Sequence, residues 1–467
     1  MKLRNVLAAG VALSAISAPT FAQEGAPAAD GDPVLGDNVI IVTAVAQGQN
    51  RLESSVSVSA LDAESIADLN PSSSADLIRQ IPGIRSEASG GEGNANIAVR
   101  GIPVSTGGAR YIQLQEDGLP VLEFGDIVFG NADNFVRADR NVGRVEAVRG
   151  GSASTFASNS PGGVINFISK TGLEEGGAVA GTIGIDHETY RLDFDYGGAL
   201  DATSYFHVGG FYRTGEGVRD TGFNGKEGGQ IKANLTTEFD GGYIRVHGKY
   251  LDDSTPTILP QPVAVTGTDS DPDYTAIANF DPRTASLYSR YISAARTLDG
   301  DNNPTTYDIH DGLSVKSAAF GVEAEVEFAP GWTLTNRFRY ADNSGSFVSP
   351  FPASVGDAQA IADGIGGAGS SIVLASGPDA GQAVANPATL GGNGLLTNVV
   401  LFNVRLNDLD YLVNDLRVAK DFDVGSGSAT FTAGFYGSRQ DIDTDWLWTS
   451  YVLSLIHISE PTRLLSI

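Results

Sequence analysis

The stretch RVEAVRGGSASTFASNSPGGVINFISK, residues 144–170, contains two apolar runs separated by a link of small residues. Its first run alternates, with Val145 and Ala147 on one side and Arg144 and Glu146 on the other, as in a strand with two different faces. Glycine and proline interrupt the link because tight turns require backbone angles that other residues resist. The stretch therefore predicts two strands joined by a turn-rich connection. An ordinary hairpin of a soluble β domain would show the same pattern.

The composition of the 467-residue chain excludes several classes of protein. A net charge of −26 argues against nucleic acid as a partner, and the absence of cysteine excludes disulfides and thiolate metal sites. The 58 glycines favour strands and turns over a helical bundle. The five histidines are not grouped with carboxylates and a nucleophile at a recognisable spacing. We therefore predict no catalytic residue, no metal, no cofactor and no enzymatic activity.

Residues 1–22 have the features of a secretory signal peptide. Lys2 and Arg4 supply the positive start, an apolar stretch follows, and Ala22 is a small residue that a signal peptidase accepts. Export places the protein in the cell envelope of a Gram-negative bacterium. Residues 23–37 are rich in Ala, Gly, Pro and Asp, and this composition predicts a flexible leader.

The run NVIIVTA at 38–44 follows the leader and is rich in β-branched residues. Such residues favour an extended strand, and the free edge of that strand can pair with the sheet of a partner protein. The run could also be the first strand of the domain that follows. Its position directly after a flexible leader favours pairing with a partner.

Residues 51–88 predict a pair of short helices. The first covers 62–69 and ends at an Asn-Pro pair, and the second covers 75–80 behind a serine cap. A strand, IAVRG at 97–101, and a turn, QEDGLP at 115–120, come next. These elements predict a small mixed α/β domain before the glycine-rich link.

From residue 173 onward, apolar and polar residues alternate along extended segments. In 231–239 the odd positions are mostly apolar and the even ones are polar or charged. Such alternation gives a strand one dry and one wet face, as in a barrel or a sandwich. Connection lengths favour an outer-membrane barrel, because DGG and APG form short turns while 252–314 and 344–409 form long loops.

The number of strands is too small for a closed transporter barrel. About nine or ten are predicted between 178 and 451, whereas transporters of this size class close with about 22. No apolar run long enough for a membrane helix follows the N-terminal segment. Residues 454–467 lack strand alternation and resemble a translated sequencing adapter. We therefore expect an incomplete barrel followed by an artefactual tail.

These motifs resemble those of the TonB-dependent outer-membrane receptors. In that family, a pattern like IE-V-RGP-S-YG-GG-IN-I-TK ends the plug domain, and this chain departs from it at Gly151 and at Phe156-Ala157. The helix followed by IPGI, the IAVRG strand and the DG turn match as well. The resemblance implies an antiparallel membrane β-barrel, incomplete in this chain, with an N-terminal α/β plug domain.

The resemblance divides the chain into five parts. They are a signal peptide at 1–22, a flexible leader at 23–50 with a TonB box at 39–44, a plug domain at 51–171, a partial transmembrane barrel at 172–453 and the artefactual tail at 454–467.

The resemblance also implies which residues have a role. The TonB box consists of Val39, Ile40, Ile41, Val42, Thr43 and Ala44. Structural residues of the plug are Arg100, Gly101, Glu116, Asp117, Gly118, Glu146, Arg149, Gly150, Gly162, Gly163 and Asn166. The four charges Arg100, Glu116, Glu146 and Arg149 are expected to form pairs within the plug and with the barrel wall. Solvent-facing charges on strand edges are the alternative.

The implied function is energised uptake, across the bacterial outer membrane, of a scarce and bulky ligand, most often a ferric siderophore. The implied partners are a TonB-type energy-transducing protein in the periplasm, the extracellular ligand and outer-membrane lipid. Cobalamin or an oligosaccharide are alternative ligands. A non-energised channel or adhesin would need neither box nor plug. A soluble periplasmic enzyme would need a convergent polar group that the sequence does not show.

Overall fold

The computed structural model describes residues 40–41, 43, 49–50, 57–88, 90–102, 108–150, 157–425, 427–455 and 464–465. The predicted signal peptide, most of the leader, and Val39, Val42 and Ala44 of the predicted box lie outside these residues. Within the described ranges, no helix is both long enough and apolar enough to cross a membrane.

The first domain is an α/β domain around one five-stranded sheet. Its strands, with a separate short pair before them, are β1 (Ile40–Ile41), β2 (Gln49–Asn50), β3 (Ser57–Asp62), β4 (Ile84–Glu87), β5 (Asn96–Val99), β6 (Ile112–Glu116), β7 (Leu119–Pro120), β8 (Asp126–Ile127), β9 (Gly130–Asn131), β10 (Val142–Arg149) and β11 (Gly163–Ser169). The main sheet has the order β3-β10-β11-β6-β7. β10 and β11 form the predicted antiparallel hairpin at the centre of this sheet.

Two short helices follow β3, as predicted. Helix α1 (Ala63–Leu69) is capped by Asp62, whose side chain accepts from the Ser65 amide at 2.7 Å, and it ends at Asn70 in the left-handed conformation. Helix α2 (Ser74–Ile78) is capped by Ser73 and ends two residues before the predicted end. A 3-10 turn, Ala132–Phe135, precedes β10.

Apolar and charged residues alternate along β10, so one face of the strand is apolar and the other is polar. Val145 and Ala147 are fully buried in the apolar core, with Leu114 and Phe167 from the neighbouring strands. Burying a side chain of this kind contributes about 1.5–3 kcal/mol. Glu146, on the opposite face, is also fully buried. The sheet is therefore covered on both faces, and the second cover is polar.

The second part of the chain is an antiparallel sheet of long strands. They are β12 (Gly176–Ile183), β13 (Tyr190–Ala199), β14 (Ser204–Gly215), β15 (Lys226–Phe239), β16 (Gly242–Thr255), β21 (Leu313–Ala329), β22 (Trp332–Asp357), β24 (Leu395–Asp408), β25 (Tyr411–Val424), β26 (Gly427–Gln440) and β27 (Asp443–Ser454). Consecutive strands pair as hairpins from β12 through β16, and β21 and β22 continue the sheet. Short turns at one end and long connections at the other match the predicted barrel pattern.

The prediction of a long loop over 344–409 is wrong. β22 runs to residue 357 and pairs with β25 along its first half and with β24 along its second. Prolines at 350 and 352 lie within this strand, although proline removes a ladder donor. The pairing accommodates them with a register shift between Pro352 and Ser354. The true connection covers 358–394 and contains helix α3 (Ala358–Gly366), the pair strand β23 (Val373–Leu374) and a 3-10 segment (Pro387–Gly392).

The other long connection was predicted correctly but is more ordered than expected. It holds the hairpins β17 (Ala264–Thr268) with β18 (Asp271–Thr275) and β19 (Ala294–Leu298) with β20 (Pro304–Asp308), and the 3-10 turn Ile309–Asp311. At the far end, Ser454 closes β27, Leu455 is buried and β28 (Leu464–Leu465) pairs with β23. The first two residues of the predicted tail are thus part of the fold.

The sheet is open, and its outer face is apolar. Among the described residues, no pairing joins β12 to β26 or β27, so the sheet does not close. Exposed apolar side chains on the outer face include Leu192, Phe194, Ile231, Leu235, Ile244, Val246, Tyr250 and Phe320. Such a large exposed apolar surface is typical of contact with lipid.

The substitution Ile231→Arg tests the outer face in the full-length protein. Ile231 lies in the middle of β15 and is 47% exposed. A charge facing the bilayer midplane costs about 2–4 kcal/mol, so the amount of folded protein in the outer-membrane fraction should fall strongly. Ile231→Leu is the control and should assemble normally. Normal assembly of the arginine variant would exclude lipid contact at this position.

Candidate functional site

The first domain rests on the inner face of the open sheet, and an ion-pair cluster joins them. Glu116, the last residue of β6, accepts from Lys249 at 2.6 Å and from Lys232 at 3.3 Å. Arg339 donates to the main-chain carbonyl of the same glutamate at 3.4 Å and to the carbonyl of Pro120. One residue of the first domain is thus held by cations from three strands of the sheet, two of them on its carboxylate and one on its main-chain carbonyl.

The register of β15 and β16 explains why a carboxylate is needed at this point. Lys232 and Lys249 are directly opposite each other on the inner face, where like charges repel. The carboxylate of Glu116 neutralises both. Burial alone would raise the pKa of Glu116, but the two lysines and Arg339 outweigh it and hold the pKa well below its usual value.

The turn after Glu116 is bonded to the end of the hairpin. Asp117 and Gly118 adopt left-handed φ values of 51° and 82°, as an Asp-Gly hairpin turn requires. Asp117 accepts from the amide of Ser169 at 2.7 Å and from its hydroxyl at 2.9 Å. Lys232 donates to the same hydroxyl at 2.9 Å. Burial acts to raise the pKa of Asp117, yet the charge of Lys232 keeps that pKa below its usual value.

The predicted box reaches the same region from the N-terminal side. Ile40 and Ile41 pair with Asn50 and Gln49 as an antiparallel bridge. Thr43 is 1% exposed.

Polar contacts hold Thr43 on the inner hairpin. Its amide donates to Glu146 at 3.0 Å, and its hydroxyl donates to the same carboxylate oxygen. Asn166 donates to the hydroxyl of Thr43 at 3.0 Å. Arg144 lies 2.9 Å from the other oxygen of Glu146. The polar face of the β10–β11 hairpin therefore binds Thr43, one residue of the predicted box.

The predicted glycines permit close approach of strands at the other end of the hairpin. A Cβ at Gly163 would lie 2.4 Å from the Val148 carbonyl, and one at Gly162 would lie 3.0 Å from the Tyr111 carbonyl. Gly150 donates to the carbonyl of Gly162 at 3.0 Å. These glycines position the strands, and Gly163 pairs with Arg149, three residues along β10 from Glu146.

The expected charge pairs hold for only two of the four residues. Glu116 and Glu146 are paired, as described above. Arg100 donates to Ser57 at 2.7 Å, and Arg149 donates to Ser59 at 2.8 Å and to the Pro82 carbonyl. Among the described residues, neither arginine has a carboxylate partner. The register of β10 with β3 places Ser57 opposite Arg149, and Arg100 reaches the same serine from the end of β5. Gly101 follows Arg100 with a left-handed φ of 81°.

Two further polar clusters tie the first domain to the sheet. Arg137 lies 2.7 Å from Asp253, which Arg213 also holds at 2.6 Å. Glu123 accepts from the hydroxyls of Tyr411 at 2.9 Å and Tyr436 at 2.7 Å. The sequence analysis missed all the sheet partners of these ties. For the Glu116 cluster a signal was available, because Lys232 and Lys249 both occupy polar positions of neighbouring strands. Two cations that face each other require an anion between them.

A polar cavity lies beside the Glu116 cluster. It has a volume of about 270 Å³ and is lined by Asp117, Asn166, Lys232, Lys249 and Arg144 among others. No group of three or more metal-ligating side chains occurs in the ranges that the structure describes. The cavity and the ion pairs form a charged seam between the first domain and the sheet.

Asp133 is a buried acid of the first domain that should titrate near neutrality. Burial raises its pKa to about 6, although the amide of Ala95 donates to it at 2.8 Å. Stability contributed by the protonated form is present below the ordinary pKa and is lost as the pH rises through 6. Asp133→Asn should therefore stabilise the domain at pH 8 by about 2–3 kcal/mol and change little at pH 4.

Hydrogen exchange of residues 95–99 at the two pH values measures this effect. The exposed Asp68→Asn is the control and should shift stability by less than about 0.5 kcal/mol at either pH. Equal effects of Asp133→Asn at both pH values would show that burial does not control the titration.

Comparison with known proteins agrees with this architecture. The sequence profile of the family described as TonB-dependent Receptor Plug Domain matches residues 50–164. The ferric enterobactin receptor PirA of Pseudomonas aeruginosa is 26% identical over 263 residues, which are 47% of this chain and 34% of that protein. A second ferric enterobactin receptor of the same species is 26% identical over 278 residues, covering 49% of this chain and 36% of that protein. The chain spans about a third of the length of these relatives.

A solved structure shows the same fold. The ferric preacinetobactin receptor BauA of Acinetobacter baumannii superposes with a TM-score of 0.54 at 13% identity, covering 89% of this chain and 54% of that one. The superposition confirms the predicted combination of an α/β plug and an antiparallel barrel sheet. Residues 50–164 of this chain are thus similar to the plug domain of the TonB-dependent receptors, and the sheet on which they rest has the same fold as that of BauA.

Proposed function

We propose that this chain is part of a TonB-dependent receptor that imports a ferric siderophore across the bacterial outer membrane. The names of its relatives support the ligand class, since both curated matches are ferric enterobactin receptors. The apolar outer face of the sheet supports the location in lipid. No enzymatic step is part of the proposal. The proposal includes the division of the chain into five parts, with a TonB box at 39–44.

One observation carries the energised mechanism. Thr43 is docked on the polar face of the β10–β11 hairpin by hydrogen bonds, close to the ion pairs that hold the first domain to the sheet. A partner that takes residues 39–44 as an added strand would gain main-chain hydrogen bonds and replace these contacts. Pulling this segment would then act directly on the seam around Glu116.

Aromatic side chains support a ligand site at the opposite end of the sheet. Phe129 of the plug stacks on Phe347 at a centroid distance of 4.4 Å and meets the edge of Trp446 at 5.6 Å. Trp448, stacked on Trp446, is 59% exposed. Exposed rings next to the plug provide flat apolar surface for a bulky chelate. The long connections lie at this same end.

Uptake of ⁵⁵Fe-loaded enterobactin by a receptor-deficient strain carrying the full-length protein tests the proposal. We expect accumulation that stops when the proton-motive force is collapsed, with surface binding unchanged. Labelled cobalamin and a labelled maltooligosaccharide are the comparison ligands. Uptake of either one in place of the siderophore would overturn the ligand class. Uptake that continues without the proton-motive force would overturn the energised mechanism.

A further inference from the structure

Asn166 uses both ends of its amide to connect two parts of the plug. Its Nδ2 donates to the hydroxyl of Thr43 at 3.0 Å, and its Oδ1 accepts from the amide of Gly118 at 3.0 Å. Asn166 is 1% exposed, so water cannot replace either bond without opening the site. The side chain is therefore a bridge between the box segment and the Asp-Gly turn.

The turn at the far end of this bridge carries the attachment to the barrel wall. Asp117 is bonded to Ser169, and Ser169 accepts from Lys232 at 2.9 Å. Glu116, one residue earlier, holds Lys232 and Lys249. A continuous series of polar contacts thus runs from the box segment to two strands of the sheet.

We propose that Asn166 is the positioning residue that couples the docking of Thr43 to the seating of the 116–118 turn on the barrel wall. The inference rests on the proposed function, because it assigns a consequence to removal of the box segment. While Thr43 is docked, the amide of Asn166 is held in the orientation that binds Gly118. When Thr43 leaves, Asn166 loses that restraint and the turn loses its support.

The short polar path makes this coupling physically direct. Asn166 and Ser169 lie three residues apart on β11, and both bind the turn. Hydrogen bonds in buried networks strengthen one another, so loss of one end weakens the other. Glu146 adds a second restraint on Thr43, and Asn166 is the residue whose amide bonds both Thr43 and the turn.

Hydrogen exchange on the full-length receptor, without ligand or energy-transducing partner, tests the coupling. Thr43→Val removes the hydroxyl and keeps the shape of the side chain. We expect exchange of residues 112–120 to accelerate about tenfold in this variant, while residues 57–62 change less than about twofold. Asn166→Leu should accelerate exchange of 112–120 by itself. Adding Thr43→Val to Asn166→Leu should then have no further effect.

Asn398→Leu is the matched control, because Asn398 also donates a side-chain bond, to Ser354 at 2.8 Å, but lies on a distant strand. It should leave exchange of 112–120 unchanged. Unchanged exchange of 112–120 in Thr43→Val would overturn the coupling, as would independent effects that multiply in the double variant. Equal acceleration throughout the plug would also overturn it, since that result indicates general loosening.

Transport measurements separate this inference from the proposed function. Asn166→Leu should lower the rate of siderophore uptake about tenfold and leave the ligand Kd unchanged, because the bridge is far from the ligand surface. If the parent protein transports no siderophore, the proposed function fails while the exchange result still decides the coupling. If the parent transports normally and Asn166→Leu does too, the coupling is excluded as a step of transport.

Discussion

Replacing Ile41 with proline is expected to abolish siderophore uptake by the full-length receptor and to leave ligand binding unchanged. Proline fixes φ and removes the backbone N–H, so the segment can no longer supply a full ladder to a partner strand. In the resting structure Ile41 is also paired with Gln49. The binding surface proposed for the ligand lies at the other end of the sheet, so its affinity should not change.

Two measurements check this result. Uptake of ⁵⁵Fe-siderophore should fall to the level seen after collapse of the proton-motive force, and cell-surface binding should give the parental Kd. Ile41→Val keeps both the β-branch and the N–H and should transport normally. Normal uptake by the proline variant would show that residues 39–44 are not the TonB box.

Replacing Glu116 with alanine is expected to have the largest effect on the seating of the plug. The substitution leaves Lys232 and Lys249 facing each other across the β15–β16 ladder without a counter-charge. Removing one member of a buried ion pair costs about 3–5 kcal/mol, because the remaining charges are both buried and unpaired. The plug should open more often at this seam, and limited proteolysis from the periplasmic side should cut it much faster.

Glu325→Gln is the control for loss of a carboxylate. Glu325 lines the same cavity but is exposed, so its removal should change stability by less than about 0.5 kcal/mol. The pH dependence gives a second check. Because the pKa of Glu116 is depressed in the fold, its contribution is present above the ordinary glutamate pKa and is lost only as the pH falls toward the depressed value. Equal proteolysis rates for Glu116→Ala and the parent at pH 7 would contradict the role of Glu116.

Local patterns were sufficient for several elements of the fold. The hairpin at 144–170, the two short helices and the Asp-Gly turn could be predicted because each depends on neighbours within a few residues. The alternation of apolar and polar residues along β15 likewise predicted that Ile231 and Leu235 share an apolar face, and both are exposed. In these cases the backbone propensity and the tertiary environment favour the same conformation.

Other elements could not be predicted from local patterns. Residues 344–409 were predicted to form a loop, yet β22 continues through Pro350 and Pro352 because β24 supplies pairing on both sides of the register shift. Whether a strand tolerates proline depends on its neighbour, which the local sequence does not contain. The partners of Arg100 and Arg149 likewise depend on a distant strand, since both arginines donate to serines of β3.

The sequence by itself determined that Lys232 and Lys249 lie on the polar faces of their strands. It also determined that Glu116 precedes a tight turn. Only the tertiary structure decided that these three side chains meet, and that Thr43 docks between Glu146 and Asn166. The period of a strand specifies which face a residue occupies, because side chains alternate by backbone geometry alone. What lies opposite that face is decided by how distant segments pack, and the charges at the seam acquire their partners only then.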